Sequence, residues 1–188
     1  GLTALDNLPL QLTHLDCGNN FLTALGNLPL QLTHLKCSSN GLRALGNLPL
    51  QLTHLDCGWN ALTALPALPN TLEHLDCSSN PLTTPLPDLP DALVYLNCRY
   101  NRLTALPALP AGLRFLDCGL TKLRSLPPLP VALETLECQN NDLATLPAPL
   151  PPNLKSLDCG GNILRRLPVL PRTLEFLGCG EQRNGMEE

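Results

Sequence analysis

The stretch ALTALPALPNTLEHLDCSSN, residues 61–80, is one copy of a unit that this 188-residue chain contains nine times. The shared part of the unit is Leu-x-x-Leu-x-Cys-x-x-Asn-x-Leu, which starts here at Leu72. Its cysteine recurs every 20 residues, with two intervals of 21: Cys17, Cys37, Cys57, Cys77, Cys98, Cys118, Cys138, Cys159 and Cys179. A unit this short cannot bury its own leucines, so we expect the copies to stack and share one continuous core.

Each unit is expected to contain one short strand. Leu75 and Cys77 alternate with polar residues, and a period of two places both side chains on the core side. His74, Asp76 and Ser78 then face outward. Because every unit repeats this pattern, neighbouring strands should lie side by side in parallel, about 4.8 Å apart. We therefore predict a parallel concave sheet of about nine strands.

The segment that returns from one strand to the next carries prolines, as in LTALPALP at 62–69. Proline removes a backbone donor and holds the preceding residue extended, which disfavours a helix. The convex side is therefore expected to be similar to polyproline II, with no or almost no helix. Leu10, Leu30 and Leu50 share one column of these segments, and we expect neighbouring prolines to cover them in part.

The repeats are expected to fill residues 1–180 as nine units of 20–21 residues. The polar stretch 181–188 is predicted to be a frayed C-terminal tail. Because Gly1 falls in the middle of a unit, we also expect the chain to be part of something longer.

The run LxxLPxLPxxLxxLxCxxN, read at 62–80, resembles the bacterial-type leucine-rich repeats of type III-secreted effectors, and the resemblance covers the whole chain. LPxLP is the element that is specific to that subclass. The resemblance implies a horseshoe-shaped solenoid, of a class that is α/β by family and essentially β here. Such effectors use the repeats alone as scaffolds, or join them to a separate ubiquitin-ligase domain whose substrates the repeats select. Cysteine stands where those effectors often carry an aliphatic residue, and no catalytic residue carries over.

The nine cysteines occupy a core position, where a free thiol serves as a small hydrophobic side chain. Side chains in register on neighbouring parallel strands lie slightly too far apart for a disulfide. No C-x-x-C metal motif occurs in the sequence. Buried thiols are therefore expected, which favours a reducing compartment: the cytoplasm, or a host cytoplasm if the protein is an effector.

An asparagine follows most cysteines by three residues: Asn20, Asn40, Asn60, Asn80, Asn101, Asn141 and Asn162. Its amide can bond backbone groups at the turn after the strand, and stacked copies should form a ladder. Thr121 and Gln182 interrupt this ladder, so we expect looser turns there.

Charge and hydropathy argue against two kinds of partner. The net charge is −4 at pH 7 and the chain has no long basic run, which argues against nucleic acid. No apolar stretch approaches the roughly 18 residues that a membrane span needs.

Catalysis is not expected in this chain. His74 and Ser78 lie roughly 13 Å apart along an extended strand, too far for the histidine to activate the serine. We therefore predict no catalytic residue, no cofactor and no enzymatic activity, while a ubiquitin-ligase domain outside this chain stays compatible with the sequence.

Four histidines form one outward column and are the candidate metal ligands: His14, His34, His54 and His74. Imidazoles on adjacent strands are near enough to share zinc or nickel. Lys36 lies in the neighbouring acidic column and opposes a bound cation. We favour a solvated face that repeats one residue, and we keep a structural or weak metal-binding surface as an alternative function.

The middle repeats carry the residue types that dominate binding energy at protein interfaces. The candidate partner-binding residues are Tyr95, Phe115, Arg99, Tyr100, Asp117, Trp59 and Leu120. We therefore predict a non-enzymatic module that binds a protein partner on its concave face. The alternative is the substrate-recognition arm of a larger secreted effector or ubiquitin ligase. The identity of the partner and the oligomeric state stay open at this point.

Overall fold

The computed structural model describes residues 1–183 and contains one parallel sheet of nine strands in chain order. Each strand has three residues and pairs only with its neighbours in the chain. No helix occurs within residues 1–183, so the predicted solenoid is confirmed. The strands are β1 His14–Asp16, β2 His34–Lys36, β3 His54–Asp56, β4 His74–Asp76, β5 Tyr95–Asn97, β6 Phe115–Asp117, β7 Thr135–Glu137, β8 Ser156–Asp158 and β9 Phe176–Gly178.

The register keeps equivalent residues of all repeats side by side. His14 pairs with His34, and His54 pairs with His74. The extra residue of each 21-residue repeat lies in the return segment and leaves the register intact, since β4 pairs with β5 and β7 with β8 in the same way. The outward columns that the sequence predicts are therefore real neighbours on one face.

The core is a stack of leucine and cysteine layers. In the fourth repeat Leu72, Leu75 and Cys77 are fully shielded from solvent, and their equivalents in the other interior repeats are buried as well. A fully buried leucine contributes about 1.5–3 kcal/mol relative to an exposed one. Because each layer packs on the next, this burial is shared between repeats and none of them has a core of its own.

The asparagine column ties the layers together at the turn after the strand. Asn80 donates from Nδ2 to the carbonyls of Cys57 and Cys77, both at 3.1 Å, and its Oδ1 accepts from the Leu62 N–H at 3.0 Å. Gln182 makes the equivalent bonds to Cys159 O at 2.9 Å and from the Leu164 N–H at 3.1 Å. Its longer side chain reaches the same groups, so the expected loosening at this turn is wrong.

Thr121 also keeps the regular turn. Its hydroxyl lies 3.0 Å from Cys118 O and 2.6 Å from Asn141 Oδ1. The preceding Leu120 has φ of 53°, as the equivalent residues of neighbouring repeats have. The turn therefore keeps the regular backbone here as well, although the shorter hydroxyl bonds only the Cys118 carbonyl and the Asn141 amide oxygen.

The leucine stripe on the convex side is exposed, contrary to expectation. Leu10, Leu30 and Leu50 are 80%, 78% and 77% exposed. The neighbouring prolines lie in the return segments but do not cover these side chains, which stand clear of the core. None of residues 1–183 forms a helix that could cross a membrane. Residues 184–188, most of the predicted frayed tail, lie outside the described residues.

Candidate protein-binding face

Six rings stand in one stack along the concave face, and we call them the ring ladder: His14, His34, His54, His74, Tyr95 and Phe115. Neighbouring histidine ring centroids lie 4.1 to 4.3 Å apart, with interplanar angles of 10 to 14°. The stack continues from His74 to Tyr95 at 5.7 Å and from Tyr95 to Phe115 at 4.5 Å. The ring faces therefore cover one another, and the ring edges are left for a partner.

A hydrogen-bond relay joins two of these histidines to the threonines that precede them. Thr33 Oγ1 lies 3.1 Å from Thr13 O and 2.9 Å from His34 Nδ1, so it can donate to the carbonyl and accept from the ring. Thr53 repeats the arrangement with Thr33 O at 3.1 Å and His54 Nδ1 at 2.9 Å. We therefore expect Nδ1 to carry the proton in both neutral rings, which would leave Nε2 as the acceptor.

His34 and His54 should titrate below the usual range of histidine. Desolvation is the main cause that lowers the pKa of both rings, and neighbouring histidines lower it further. Long-range nitrogen–proton NMR at about pH 7.5 should show the Nδ1–H tautomer, and the titration midpoints should lie below about 6.5. Because the pKa is lower in the folded state, this contribution to stability is complete above about pH 6.5 and is lost as the pH falls towards the folded pKa.

Replacing the relay threonines provides the control for this prediction. Thr33→Val and Thr53→Val remove the hydroxyl acceptor while keeping the side-chain shape. Both rings should then lose their tautomer preference. An Nε2–H tautomer in the unmodified protein, or midpoints at or above about 6.5, would contradict the relay.

A row of acidic side chains runs beside the ring ladder, and we call it the acid column: Asp16, Lys36, Asp56, Asp76, Asn97, Asp117, Glu137 and Asp158. In most repeats the side-chain oxygen accepts a hydrogen bond from the backbone N–H two residues later, as between Asp76 Oδ1 and Ser78 N at 2.9 Å. Desolvation raises the pKa of Asp56, Asp117 and Glu137. Where it occurs, this bond uses one oxygen of the side chain, and in Asp56 and Asp76 the other oxygen accepts from Ser38 Oγ and the Asn97 amide.

A shallow groove of about 140 Å³ separates the ring ladder from the acid column. One wall consists of His34, His54, His74 and Tyr95, and the other of Lys36, Asp56 and Asp76. The inward-facing strand leucines contribute backbone to its floor. The surface that lines this groove is almost entirely apolar, so the polar atoms of these side chains contribute little to it.

A second polar cluster lies on the next repeats. Arg99 Nη1 is 3.9 Å from Asp117 Oδ2, and the guanidinium carbon lies 5.3 Å from the centroid of the Tyr100 ring. Arg99 Nε and Gln139 Oε1 are buried without a hydrogen-bond partner in residues 1–183. This cluster brings together three of the residues that the sequence singles out: Arg99, Tyr100 and Asp117.

The loop column beyond the strands places large side chains in an unfavourable backbone conformation. Trp59, Tyr100 and Leu120 have φ of 53°, 54° and 53°. The left-handed region costs a residue with a side chain about 1–2 kcal/mol. Burial does not offset this cost for Trp59 and Tyr100, which are 67% and 54% exposed. We call these three residues the rim.

The chain is similar to bacterial proteins of known structure. A family model described as Leucine Rich Repeat matches residues 71–91. The leucine-rich repeat domain of a Shigella effector is 31% identical with a TM-score of 0.74, over 81% of this chain and 71% of that one. The chain belongs to the leucine-rich repeat family. Its assignment to the LPxLP subclass stays a prediction.

Other relatives of this leucine-rich repeat chain are longer. YopM from Yersinia enterocolitica is 33% identical with a TM-score of 0.59 over 96% of this chain, which spans about half of its length, 49%. The functional domain of InlJ from Listeria monocytogenes, whose structure includes a cysteine ladder, is 26% identical with a TM-score of 0.54, over 97% of this chain and 59% of that one. No curated protein matches the sequence.

The histidines of this leucine-rich repeat face are poorly arranged to share a metal ion. Parallel stacking points the ring nitrogens in the same direction, whereas a tetrahedral ion needs ligands that converge on it. In His34 and His54 the relay also occupies Nδ1. No group of three suitable donors occurs within residues 1–183. The geometry therefore gives no support to His14, His34, His54 and His74 as a metal site.

The sequence predicts which residues of the site lie on adjacent strands, but not how their side chains contact one another. It places Tyr95 and Phe115 on adjacent strands, where they lie. It treats the histidines as a separate, uniform surface, whereas His74 stacks on Tyr95 and makes one continuous ladder. The signal for this stacking was present in the sequence, because His74 and Tyr95 occupy the same outward column. The threonine relay gives no such signal, because it depends on the side-chain torsions of Thr33 and Thr53.

Proposed function

We propose that this leucine-rich repeat chain is a protein-interaction module that binds a protein partner through its concave face and rim. Repeat solenoids of this kind use their extended concave surfaces for binding. The proposed site consists of Tyr95, Phe115, Arg99, Tyr100, Asp117, Trp59 and Leu120. Their residue types are those that dominate the energetics of protein interfaces.

The observation that carries this proposal is the strained, exposed rim. Asparagine and serine occupy the same column in other repeats, as at Asn19 and Ser39, and asparagine in particular tolerates the left-handed conformation well. Trp59 and Tyr100 take that conformation while mostly exposed, so neither local backbone preference nor the core accounts for them. Strain of this kind is concentrated at functional positions, and contact with a partner supplies the missing compensation.

A second candidate function is substrate recognition within a larger effector or ubiquitin ligase. The similarity to the repeat domain of a Shigella effector favours this candidate. So does the length of YopM, about twice that of this chain. The binding face is the same in both candidates, and they differ in what is attached to it.

Replacing Tyr95 and Phe115 together with alanine should weaken partner binding by about 2 kcal/mol or more, roughly thirtyfold. The rings contact each other and not the leucine core, so circular dichroism should show an intact fold. The partner is identified first, with a photo-crosslinking residue at Tyr100, and its affinity for each variant is then measured by calorimetry.

The matched control is Val131→Ala with Val169→Ala, two exposed side chains of the return segments. This control should bind with unchanged affinity. If it loses affinity while Tyr95→Ala/Phe115→Ala does not, the concave face is not the site. If His14→Ala and His34→Ala are damaging instead, the site lies in the first repeats.

A further inference from the structure

Positive charge is concentrated on one edge of the solenoid, just after the turn that follows each strand, and we call this cluster the basic flank: Arg102, Lys122, Arg124, Arg165 and Arg166. All five side chains are exposed, and none forms an ion pair within residues 1–183. Consecutive repeats lie side by side here, since Lys122 N donates to Leu103 O at 3.0 Å. Positive side chains of several repeats are therefore neighbours on one edge, although the net charge of the chain is −4.

The negative charge on this edge is already paired. Among the equivalent positions of all repeats, Asp142 is the one acidic residue within residues 1–183. Arg183 Nη2 lies 3.1 Å from Asp142 Oδ1, and the same guanidinium donates from Nε to Gly161 O at 3.0 Å. No carboxylate within residues 1–183 therefore neutralises the basic flank by direct contact, and such a surface raises the local concentration of anionic groups.

An open slot of about 580 Å³ interrupts the basic flank, and it is lined by Ala144, Thr145, Ile163, Arg165 and Arg166. Ala144 occupies the position that Arg124 and Arg165 occupy in the repeats on either side, so a methyl group stands between two long side chains. The register is fixed by the backbone, as where Ile163 N donates to Leu143 O at 3.0 Å. The lining is mainly apolar, and its two arginines supply positive charge.

We propose that the basic flank binds an acidic segment of a protein partner, with an aliphatic side chain of that segment in the slot. Arg124 and Arg165 pair with carboxylates of the segment, because a guanidinium can donate two parallel hydrogen bonds to one carboxylate. These arginines are two repeats apart, roughly 10 Å at about 4.8 Å per repeat, and carboxylates three residues apart in an extended segment span the same distance. The basic flank lies outside the concave face, so this surface goes beyond the proposed function.

The slot favours a peptide over a nucleic acid. Surfaces that hold single-stranded nucleic acid combine positive charge with aromatic rings on which the bases stack. None of the five residues that line the slot is aromatic. An aliphatic side chain with carboxylates on either side matches both the apolar lining and the positive charge.

The probe is the fluorescein-labelled peptide EEELEEE, in which one leucine lies between glutamates, with QQQLQQQ as its uncharged match. Anisotropy is measured at about pH 7.5 and about 0.15 M salt, where distant charges are screened. EEELEEE should bind and QQQLQQQ should not. Arg124→Gln with Arg165→Gln should weaken the binding of EEELEEE about tenfold or more, since each substitution removes a bidentate pair. No binding of EEELEEE, or equal binding of QQQLQQQ, would overturn the proposal.

The slot is tested separately from the charge. The peptide EEEGEEE keeps the carboxylates but lacks the aliphatic side chain, so it should bind about fivefold or more weakly than EEELEEE. Ala144→Gln fills the slot without changing the charge and should lower the affinity for EEELEEE to that for EEEGEEE. Equal affinity of the unmodified protein for these two peptides would show that charge alone is recognised, against the proposal.

The matched control is Arg43→Gln with Arg172→Gln, which removes the same charge from exposed positions that form no ion pair within residues 1–183. Arg43 occupies the position of Arg124 four repeats earlier, roughly 19 Å away, compared with a screening length of about 8 Å. Arg172 lies at the other end of a return segment, shortly before β9. The control should change the affinity by less than about twofold, and an equal loss in both pairs would reduce the effect to net charge and overturn the proposal.

Three further results would assign the peptide or the surface differently, and each would overturn the proposal. Tighter binding of a fluorescein-labelled oligothymidine than of EEELEEE would indicate a nucleic acid. A tenfold gain in affinity after deletion of residues 184–188, which include Glu187 and Glu188, would indicate that the chain's own end occupies the flank. A loss with Tyr95→Ala/Phe115→Ala would place the peptide on the concave face. Unchanged affinity in that variant separates the two surfaces, so that failure of one leaves the other standing.

Discussion

Replacing Asn141 with leucine should lower the free energy of unfolding by about 3–5 kcal/mol. Asn141 is buried, and its Nδ2 donates to Cys118 O at 2.9 Å and Cys138 O at 3.1 Å. Its Oδ1 accepts from the Leu123 N–H at 2.9 Å. Each buried polar group left without a partner costs about 1–3 kcal/mol, and leucine replaces none of these bonds. Guanidinium unfolding followed by circular dichroism measures the loss.

Asn20→Leu is the matched control, because Asn20 makes equivalent bonds in the first layer but is only half-buried. Water can replace its partners there, so its loss should be below about 1 kcal/mol. Equal losses at both positions would show that burial does not set the energy. A loss below about 1 kcal/mol at Asn141 would show that the asparagine column does not stabilise the stack.

In the native protein a bulky thiol reagent should modify one cysteine, Cys179, and all nine after denaturation. Cys179 is exposed and the other eight cysteines are buried. Burial raises the pKa of Cys159 to about 11 and raises the pKa of Cys77 well above its ordinary value. The thiolate is the reactive form, so two pKa units reduce the reactive fraction roughly 100-fold even at Cys159. Mass spectrometry of the labelled chain counts the modified thiols.

Cys179→Ser should abolish labelling of the native protein. After denaturation, the other eight cysteines should all be labelled. Cys77→Ser, in contrast, places a hydroxyl in the core and should destabilise the fold by about 1–3 kcal/mol. Rapid native modification of Cys77 or Cys98 would reject their place in the core. Because the thiolate is the reactive form, modification of Cys159 should become faster as the pH rises towards its raised pKa of about 11.

The fold could be predicted from the sequence because the same residue pattern occurs nine times. The alternation of Leu75 and Cys77 fixes which side faces inward, and the constant period fixes the parallel register. Every strand lies where these two features place it. The extra residue of each longer repeat lies among the prolines of the return segment. The sequence therefore also predicts that these insertions lie outside the sheet.

The details of the proposed binding face could not be predicted in the same way. Whether His74 stacks on Tyr95 depends on side-chain torsions, which the sequence does not specify. The backbone at Trp59 and Tyr100 is left-handed because the turn has one geometry, whatever residue occupies it. Residue preference alone would place asparagine or glycine there. Gln182 can replace asparagine in the ladder for a similar reason. Its amide group reaches the same carbonyls, although the side chain is longer by one methylene.

The undisturbed register across the two longer repeats has a consequence for how such a chain evolves. A single inserted residue is tolerated only in the return segment, because in a strand it would exchange inward and outward side chains in the rest of that strand. A whole repeat can be duplicated or deleted without this penalty, since each copy brings its own inward leucines and its own outward residues. One duplication lengthens the concave face by about 4.8 Å. Copy number therefore sets the length of the concave face, while substitutions in the outward columns set its chemistry.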